Sequence, residues 1–179
     1  MTVEKECYIA NVGDSRALLS ADSGMRLFDL SQDHRPNEEA EFYRIQDNGG
    51  QVYQTQTFQN VPITNKYGQV TGTQRQMLYG PYRVLPGRLS VSRTFGDIEA
   101  KYEKFGGKPG VVSAVPEISQ FTIDENTNDF IVLGCDGIYD RLTTINVVDS
   151  AWSAMATALK SAQKSDSSAS IQRKPLSIH

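Results

Sequence analysis

The stretch DFIVLGCDGIYDRLT, residues 129–143, decides the fold class that we expect for this chain. Its apolar part, Phe130–Cys135, is continuous and has an aspartate on either side. A short apolar run with such boundaries is typical of a strand that is covered on both faces. The run delivers Asp136 at its end, and Asp140 follows four residues later. We therefore expect a core strand that ends in two closely spaced carboxylates.

Asp136 and Asp140 are the first candidate functional residues. A carboxylate at the tip of a core strand loses hydration unless it is paired or bound to a cation. If a helical turn follows Gly137, the two carboxylates face the same side, and oxygen-only pairs suit hard ions such as Mg²⁺ or Mn²⁺. The alternative is that Asp136 caps the turn and Asp140 is solvated, and the local pattern supports both equally.

Upstream, residues 6–20 read as two short strands joined at Gly13 and Asp14, and Gly24 turns the chain into a third strand at Met25–Leu30. Strands this closely spaced predict an antiparallel meander. The glycine lets the chain turn sharply, so the Asp14 carboxylate projects from the turn. Asp14 is either a second acidic site or a turn residue that bonds its own backbone.

Two helices are predicted. Pro36 opens the first, because proline and acidic residues suit a first turn. Phe42 and Ile45 give it an apolar edge, and the NGG sequence at 48–50 ends it. The second helix follows residue 143, where apolar residues recur at steps of three and four. They are Ile145, Val148, Trp152, Met155 and Leu159.

The remaining chain is less regular. Residues 55–80 are polar and weakly periodic, so we expect an inserted surface loop or lid. Residues 161–179 are rich in serine and poor in apolar residues, which predicts a disordered tail. Further strands are expected at Tyr82–Leu85, Leu89–Ser92, Val111–Ala114 and Ile118–Ile123.

Arginine, histidine and cysteine side chains offer further candidates for chemistry. Arg93, in SVSRTFGD, is a candidate phosphate contact because guanidinium groups bind phosphate bidentately. A salt bridge to Asp97 that ties the loop is its more usual role. His34 has no metal-binding neighbour at a useful spacing and is expected to be structural. Cys7 and Cys135, the two cysteines, are expected to be buried reduced thiols.

Composition excludes several classes of protein. The net charge is −3 and no concentrated basic face is visible, which argues against a nucleic-acid partner. No apolar run approaches the roughly 20 residues that a membrane span requires. The N-terminus lacks the basic-then-apolar order of a secretory signal. The expected location is therefore intracellular, cytoplasmic or nuclear.

Six sequence blocks, taken together and in order, resemble one protein family. The blocks NVGDSRA, LSQDHRP, NGGQV, RVLPGRLSVSRTFGD, VSAVPEI and DFIVLGCDGIYDRLT resemble the metal-dependent protein phosphatases of type 2C (PPM) from about Cys7 to Trp152. The resemblance implies an α+β fold, an α-β-β-α sandwich of two antiparallel sheets, of which residues 1–160 form an incomplete domain.

The resemblance also implies a reaction and a set of ligands. It is the hydrolysis of phosphoserine or phosphothreonine in proteins by a water that two Mn²⁺ or Mg²⁺ ions activate. Asp136 matches a metal ligand of the family. Asp14 and Asp140 match acids that, with Asp136, hold a further metal. The implied partner is a phosphoprotein substrate.

The sequence departs from the family at both ends. It lacks the N-terminal Asp-Gly-His block and the closing Asp-Asn block, and Asp136 alone cannot hold two mutually repelling ions. Three interpretations remain open. The chain is part of a longer phosphatase, or a non-catalytic binding or regulatory module, or it is completed by a separate N-terminal segment or a second copy. Exposed strand edges and weak stability are expected unless a partner covers them.

Overall fold

The computed structural model describes residues 1–166, and antiparallel strands and helices give it the α+β class that the sequence predicts. No helix in this range is long and apolar enough to cross a membrane. The strands are β1 (Thr2–Val3), β2 (Glu6–Asn11), β3 (Arg16–Ala21), β4 (Arg26–Asp29), β5 (Gln51–Thr64), β6 (Val70–Leu85), β7 (Glu117–Thr122) and β8 (Asn128–Gly134). The helices are α1 (Glu39–Asp47), α2 (Ile98–Lys101), α3 (Asp136–Tyr139) and α4 (Thr144–Asp166), with a 3-10 turn at Glu103–Phe105.

The first of two compact units comprises Met1–Arg16 and Leu30–Thr122. Its sheet has the order β1-β2-β7, with β2 antiparallel to both neighbours. A separate antiparallel pair, β5 and β6, follows α1. The unit's core is a set of small and β-branched side chains that are almost fully buried: Ile45, Val84, Ala100, Val111 and Val112.

The second unit comprises Ala17–Asp29 and the chain from Ile123 onward. Its sheet has the order β4-β3-β8, and β3 and β4 are antiparallel. The indole N–H of Trp152, on α4, donates to Ser20 Oγ on β3 at 3.1 Å. The core of this unit consists of Leu18, Tyr139, Val147 and Val148, with Leu27, Phe130, Val132 and Trp152 packed against it.

The meander that the sequence predicts at residues 6–30 is only half correct. β3 and β4 do pair, but β2 belongs to the other sheet and pairs with β7. The chain changes sheets at Gly13, whose φ of +109° is open to glycine and strained for other residues. Local periodicity identifies each strand but carries no information on a partner more than a hundred residues away.

The loop expected at residues 55–80 is a long hairpin. β5 and β6 pair from Gln51 opposite Leu85 to Thr64 opposite Val70. Asn65 closes the turn, because its side-chain oxygen accepts the N–H groups of Tyr67 and Gln69. The prediction was wrong because threonine, tyrosine and valine suit a solvated strand, even where little apolar alternation marks it. The segment does lie on the surface, with nearly all its side chains exposed.

Other expectations about burial were also wrong. β8 is covered on one face only, since its alternate residues Ile131 and Leu133 are 41% and 76% exposed. Cys7 is buried as expected, but Cys135 is exposed because it stands at the end of β8. A continuous apolar run thus fails to predict how much of this strand the chain itself covers.

Three segment boundaries differ from the sequence analysis. Residues 89–92 and 111–114 contain only isolated bridges, Val84 with Leu89 and Arg93 with Ser113, instead of strands. Helix α4 forms as predicted but continues to Asp166, beyond the expected end at residue 160. Residues 167–179, the rest of the expected tail, lie outside the described part of the chain. Of the predicted apolar face of α4, Ile145 and Leu159 are 65% and 59% exposed.

Candidate functional site

Asp136 and Asp140 occupy one helical turn at the end of β8. Cys135 is extended, with φ −95° and ψ 178°, and α3 begins at the next residue. The N–H of Asp140 donates to the carbonyl of Asp136 at 2.8 Å, so the two residues are one turn apart. Residues four apart share one side of a helix, and both are exposed. A helical turn is therefore present, but it begins at Asp136 and includes Gly137 instead of following it.

The position of this turn is fixed by Tyr139. The Tyr139 side chain packs in the second core with Leu18 and Val148, and its ring lies over the end of β8. A Cβ atom at Gly134 would stand 2.7 Å from Tyr139 Cε2, so the close approach requires glycine. The end of β8, Gly134 and the Tyr139 ring together keep Asp136 at the surface.

Asp14 lies in the first unit, directly after Gly13. Its carboxylate is 3.4 Å from the guanidinium of Arg35, and its side chain is 21% exposed. Asp14 thus lies in a turn, as expected, and this contact is to the side chain of Arg35 instead of to its own backbone. A bound cation at Asp14 remains a prediction.

His34 holds the turn that carries Asp14. It is 2% exposed, its Nδ1 accepts the N–H of Gly13 at 3.1 Å, and its Nε2 is 3.2 Å from Glu117 Oε2. Because Nδ1 is an acceptor, the imidazole carries its proton on Nε2 and donates it to Glu117. His34 therefore ties the Gly13 turn to β7, in the structural role that the sequence predicts.

Sequence reasoning missed Glu41, the most deeply buried carboxylate of this unit. Its side chain is 4% exposed, and Oε2 accepts hydrogen bonds from Arg44 Nη2 at 2.7 Å and from Ser92 Oγ. Burial raises the pKa of Glu41, but the hydrogen bonds from Arg93, Arg44 and Ser92 outweigh it and lower the pKa to about 2. Its position in the sequence could have indicated its burial, because Glu41 precedes Ile45 by four residues and so lies on the same face of α1.

Arg93 pairs with Glu41 rather than with Asp97. Its Nε and Nη2 donate to Glu41 Oε1 at 3.1 and 2.6 Å, and its Nη1 donates to the carbonyl of Val115 at 3.1 Å. All three nitrogens of the guanidinium thus have acceptors. The expected structural salt bridge exists with a different partner, and a phosphate would have to compete with Glu41.

The described residues do not form a complete metal centre. Within residues 1–166, no three side chains of His, Cys, Asp or Glu come together in a way that could hold a metal ion. Asp14 belongs to the first unit, whereas Asp136 and Asp140 belong to the second. Within the second unit, Asp136 and Asp140 present two carboxylates, the kind of oxygen donor that Mg²⁺ and Mn²⁺ prefer.

Comparison with known proteins gives a consistent result. A family model described as "Protein phosphatase 2C" matches residues 1–170. "Probable protein phosphatase 2C 60" of Arabidopsis thaliana is 32% identical over 82% of this chain and 32% of its own length. "Probable protein phosphatase 2C 6" of Paramecium tetraurelia is 29% identical over 92% of this chain and 46% of its own length.

A solved structure is similar as well. The crystal structure of a phosphatase from a pathogenic strain of Toxoplasma gondii is 29% identical, with a TM-score of 0.59. The match covers 86% of this chain and 38% of that one. The chain thus spans between about a fifth and a half of the length of the curated relatives that it matches.

Proposed function

Because this chain belongs to the protein phosphatase 2C family, whose members are metal-dependent Ser/Thr phosphatases, we propose that it forms part of a longer enzyme that hydrolyses phosphoserine and phosphothreonine in proteins. The observation that carries the proposal is the match of residues 1–170 to the family model. The exposed carboxylate of Asp136, held at the end of β8 by Tyr139, supports it.

The metal ligands in this proposal are Asp136, Asp140 and Asp14, and the ion is Mn²⁺ or Mg²⁺. Carboxylate oxygens are the donors that these hard ions prefer. Since the described residues hold no group of three such donors, the proposal assigns the remaining ligands to a further segment or to a second copy of the chain.

Exposed apolar faces support a larger phosphatase domain. Leu133 and Ile131 on β8, and Ile118 on β7, are 76%, 41% and 61% exposed. Large apolar side chains in a strand usually face a neighbouring layer, and contiguous exposed ones mark surfaces that another element covers. The same faces suit the alternative of a non-catalytic binding or regulatory module, which the experiment below separates.

The experiment measures hydrolysis of p-nitrophenyl phosphate and of a phosphothreonine peptide in Mn²⁺. The chain is tested alone and after co-expression with the N-terminal third of the Arabidopsis relative. Asp136→Asn should abolish metal-dependent turnover, whereas Asp149→Asn, at an exposed aspartate on α4, should not.

Each outcome has a distinct meaning. Turnover by the chain alone, lost in Asp136→Asn, supports completion by a second copy. Turnover only with the added segment supports a part of a longer enzyme. No turnover in either setting contradicts the proposed function and favours the non-catalytic module.

A further inference from the structure

The hairpin β5–β6, here called the ribbon, offers two strand edges along most of its length. Among the described residues it is a two-stranded sheet of its own, and only Val84 at its base bridges to Leu89. Isolated two-stranded hairpins are marginally stable, and unpaired edges are templates for another chain. Both outer edges of the ribbon therefore present backbone N–H and C=O groups to an extended segment.

One face of the ribbon carries a row of large side chains. Phe58 lies opposite Met77, Gln56 opposite Tyr79 and Asn60 opposite Arg75. Directly opposed residues and residues two apart share a face, so Tyr79, Met77, Phe58 and Arg75 form one row, the ribbon face. Phe58 and Tyr79 are 56% and 62% exposed, and contiguous exposed apolar side chains of this kind mark interaction surfaces.

Arg75 gives the ribbon face an anion-binding group. Its guanidinium carbon stands 4.2 Å from the centre of the Phe58 ring. A guanidinium group that stacks on a ring face keeps its N–H edges available to donate to a carboxylate. No acidic side chain of the described residues pairs with it.

Charge along the sequence points to the same ligand. Between Asp47 and Asp97 there is no acidic residue, so all 21 acidic residues of the chain lie outside this segment. Lys66, Arg75 and Arg83 all lie within the ribbon or its turn. The ribbon is therefore a positive element on a chain whose net charge is −3.

We propose that the ribbon docks an extended, acidic segment of the phosphoprotein substrate as an added strand. Main-chain hydrogen bonds to a ribbon edge supply affinity, and side chains at alternate positions supply specificity. Acidic side chains of the segment meet Arg75 and Lys66, and apolar ones meet Phe58 and Tyr79. The identity of the segment as substrate rests on the proposed function, whereas its acidic, extended character rests on the ribbon alone.

The test is fluorescence anisotropy with the whole chain and a labelled, unphosphorylated twelve-residue peptide. In the acidic probe, Glu alternates with Thr and Leu, and in the matched basic probe Lys replaces Glu. We expect the acidic probe to bind and to weaken steeply with salt, since exposed charges are screened. Arg75→Glu should weaken binding about tenfold or more, and Phe58→Ser should weaken it several-fold.

The control is Lys104→Glu, because Lys104 also lies over an aromatic ring, that of Phe105 at 5.7 Å, but outside the ribbon. It should keep the affinity of the unaltered chain. Equal binding of both probes, or undiminished binding by Arg75→Glu and Phe58→Ser, overturns the proposal. The proposal is also overturned if sedimentation velocity shows self-association of the chain that Arg75→Glu abolishes, because the ribbon would then join two copies of the chain.

Hydrolysis of p-nitrophenyl phosphate separates this proposal from the proposed function, since that substrate has no polypeptide to dock. The ribbon variants should leave its turnover unchanged wherever turnover is found. Acidic-peptide binding without any turnover would keep the docking surface and remove the substrate assignment. Turnover of p-nitrophenyl phosphate, together with peptide binding that the ribbon variants do not weaken, would keep the proposed function and remove the docking surface.

Discussion

Arg93 donates two hydrogen bonds to a single oxygen of Glu41, Oε1, at 3.1 Å from Nε and 2.6 Å from Nη2. The pair joins helix α1 to the segment that follows the ribbon. Its side chains are 19% and 4% exposed, so the charges are largely removed from water. A carboxylate so placed is stabilising only while its cationic partners remain.

Replacing Glu41 by glutamine should destabilise the chain. The amide leaves Arg93 and Arg44 without a counter-charge, and breaking a buried pair from one side costs about 3 kcal/mol. Urea unfolding followed by circular dichroism measures the change. Glu39→Gln, at an exposed glutamate of the same helix, should shift the free energy of unfolding by about 0.5 kcal/mol or less. Equal effects of the two variants would show that the Glu41 cluster adds no stability.

The contribution of Glu41 should also depend on pH. Its pKa falls from an ordinary 4.5 to about 2 in the folded chain, so the unfolded state binds the proton more readily. The stabilisation, about 3 kcal/mol for this difference, is fully present above pH 4.5 and is lost as pH falls from there towards 2. Unfolding free energies of the unaltered chain and Glu41→Gln should therefore converge between pH 4.5 and 2. A constant difference across that range would contradict the lowered pKa.

Replacing His34 by alanine should destabilise the Gly13 turn. The change leaves the buried N–H of Gly13 without its acceptor and removes the donor to Glu117. A buried donor left in this way costs about 1–3 kcal/mol. The free energy of unfolding in urea is the measurement. Glu117→Gln keeps an acceptor for Nε2 and should cost less than His34→Ala; the opposite order would contradict the proposed tautomer.

A methyl group at Gly134 should disturb the turn that carries Asp136. Its Cβ would stand 2.7 Å from the ring of Tyr139, which is held by the second core. Overpacking of this kind costs about 1–3 kcal/mol. The melting temperature of the chain and its near-ultraviolet circular dichroism, to which Tyr139 contributes, should both change in Gly134→Ala. Gly72→Ala, where the nearest neighbour is 3.9 Å from the added Cβ, should leave both unchanged.

Elements whose pattern is local could be predicted from the sequence. Helix α1 has the acidic first turn that the sequence predicts, although it begins at Glu39, three residues after Pro36, and β8 contains most of the apolar run Phe130–Cys135. The placement of Asp136 and Asp140 on one side of a helical turn was one of two interpretations left open, and a helical turn is present at Asp136–Tyr139. In each case the residues that determine the element are its own.

Features that depend on distant partners could not be predicted. The sequence of β2 does not reveal that its partner is β7 rather than β3, because the two strands are far apart in the chain. The ribbon is held by a continuous set of cross-strand pairs and shows little apolar alternation that could have predicted it. Glu41 reads as a solvated helix residue until Arg93, more than fifty residues later, is placed beside it. The exposure of Leu133 is likewise invisible in a run that looks fully buried.

The pairing of β2 with β7 also sets an order of events during synthesis. Asn11 pairs with Glu117, so β2 emerges from the ribosome about a hundred residues before its partner. At ordinary translation rates that is a wait of about 5–20 s. The residues of the ribbon and of α1 are all synthesised before β7, and the backbone hydrogen bonds within each element join only neighbouring sequence. We therefore expect the nascent chain to fold from its middle outward, with the edge of β2 as the surface that chaperones must protect in the meantime.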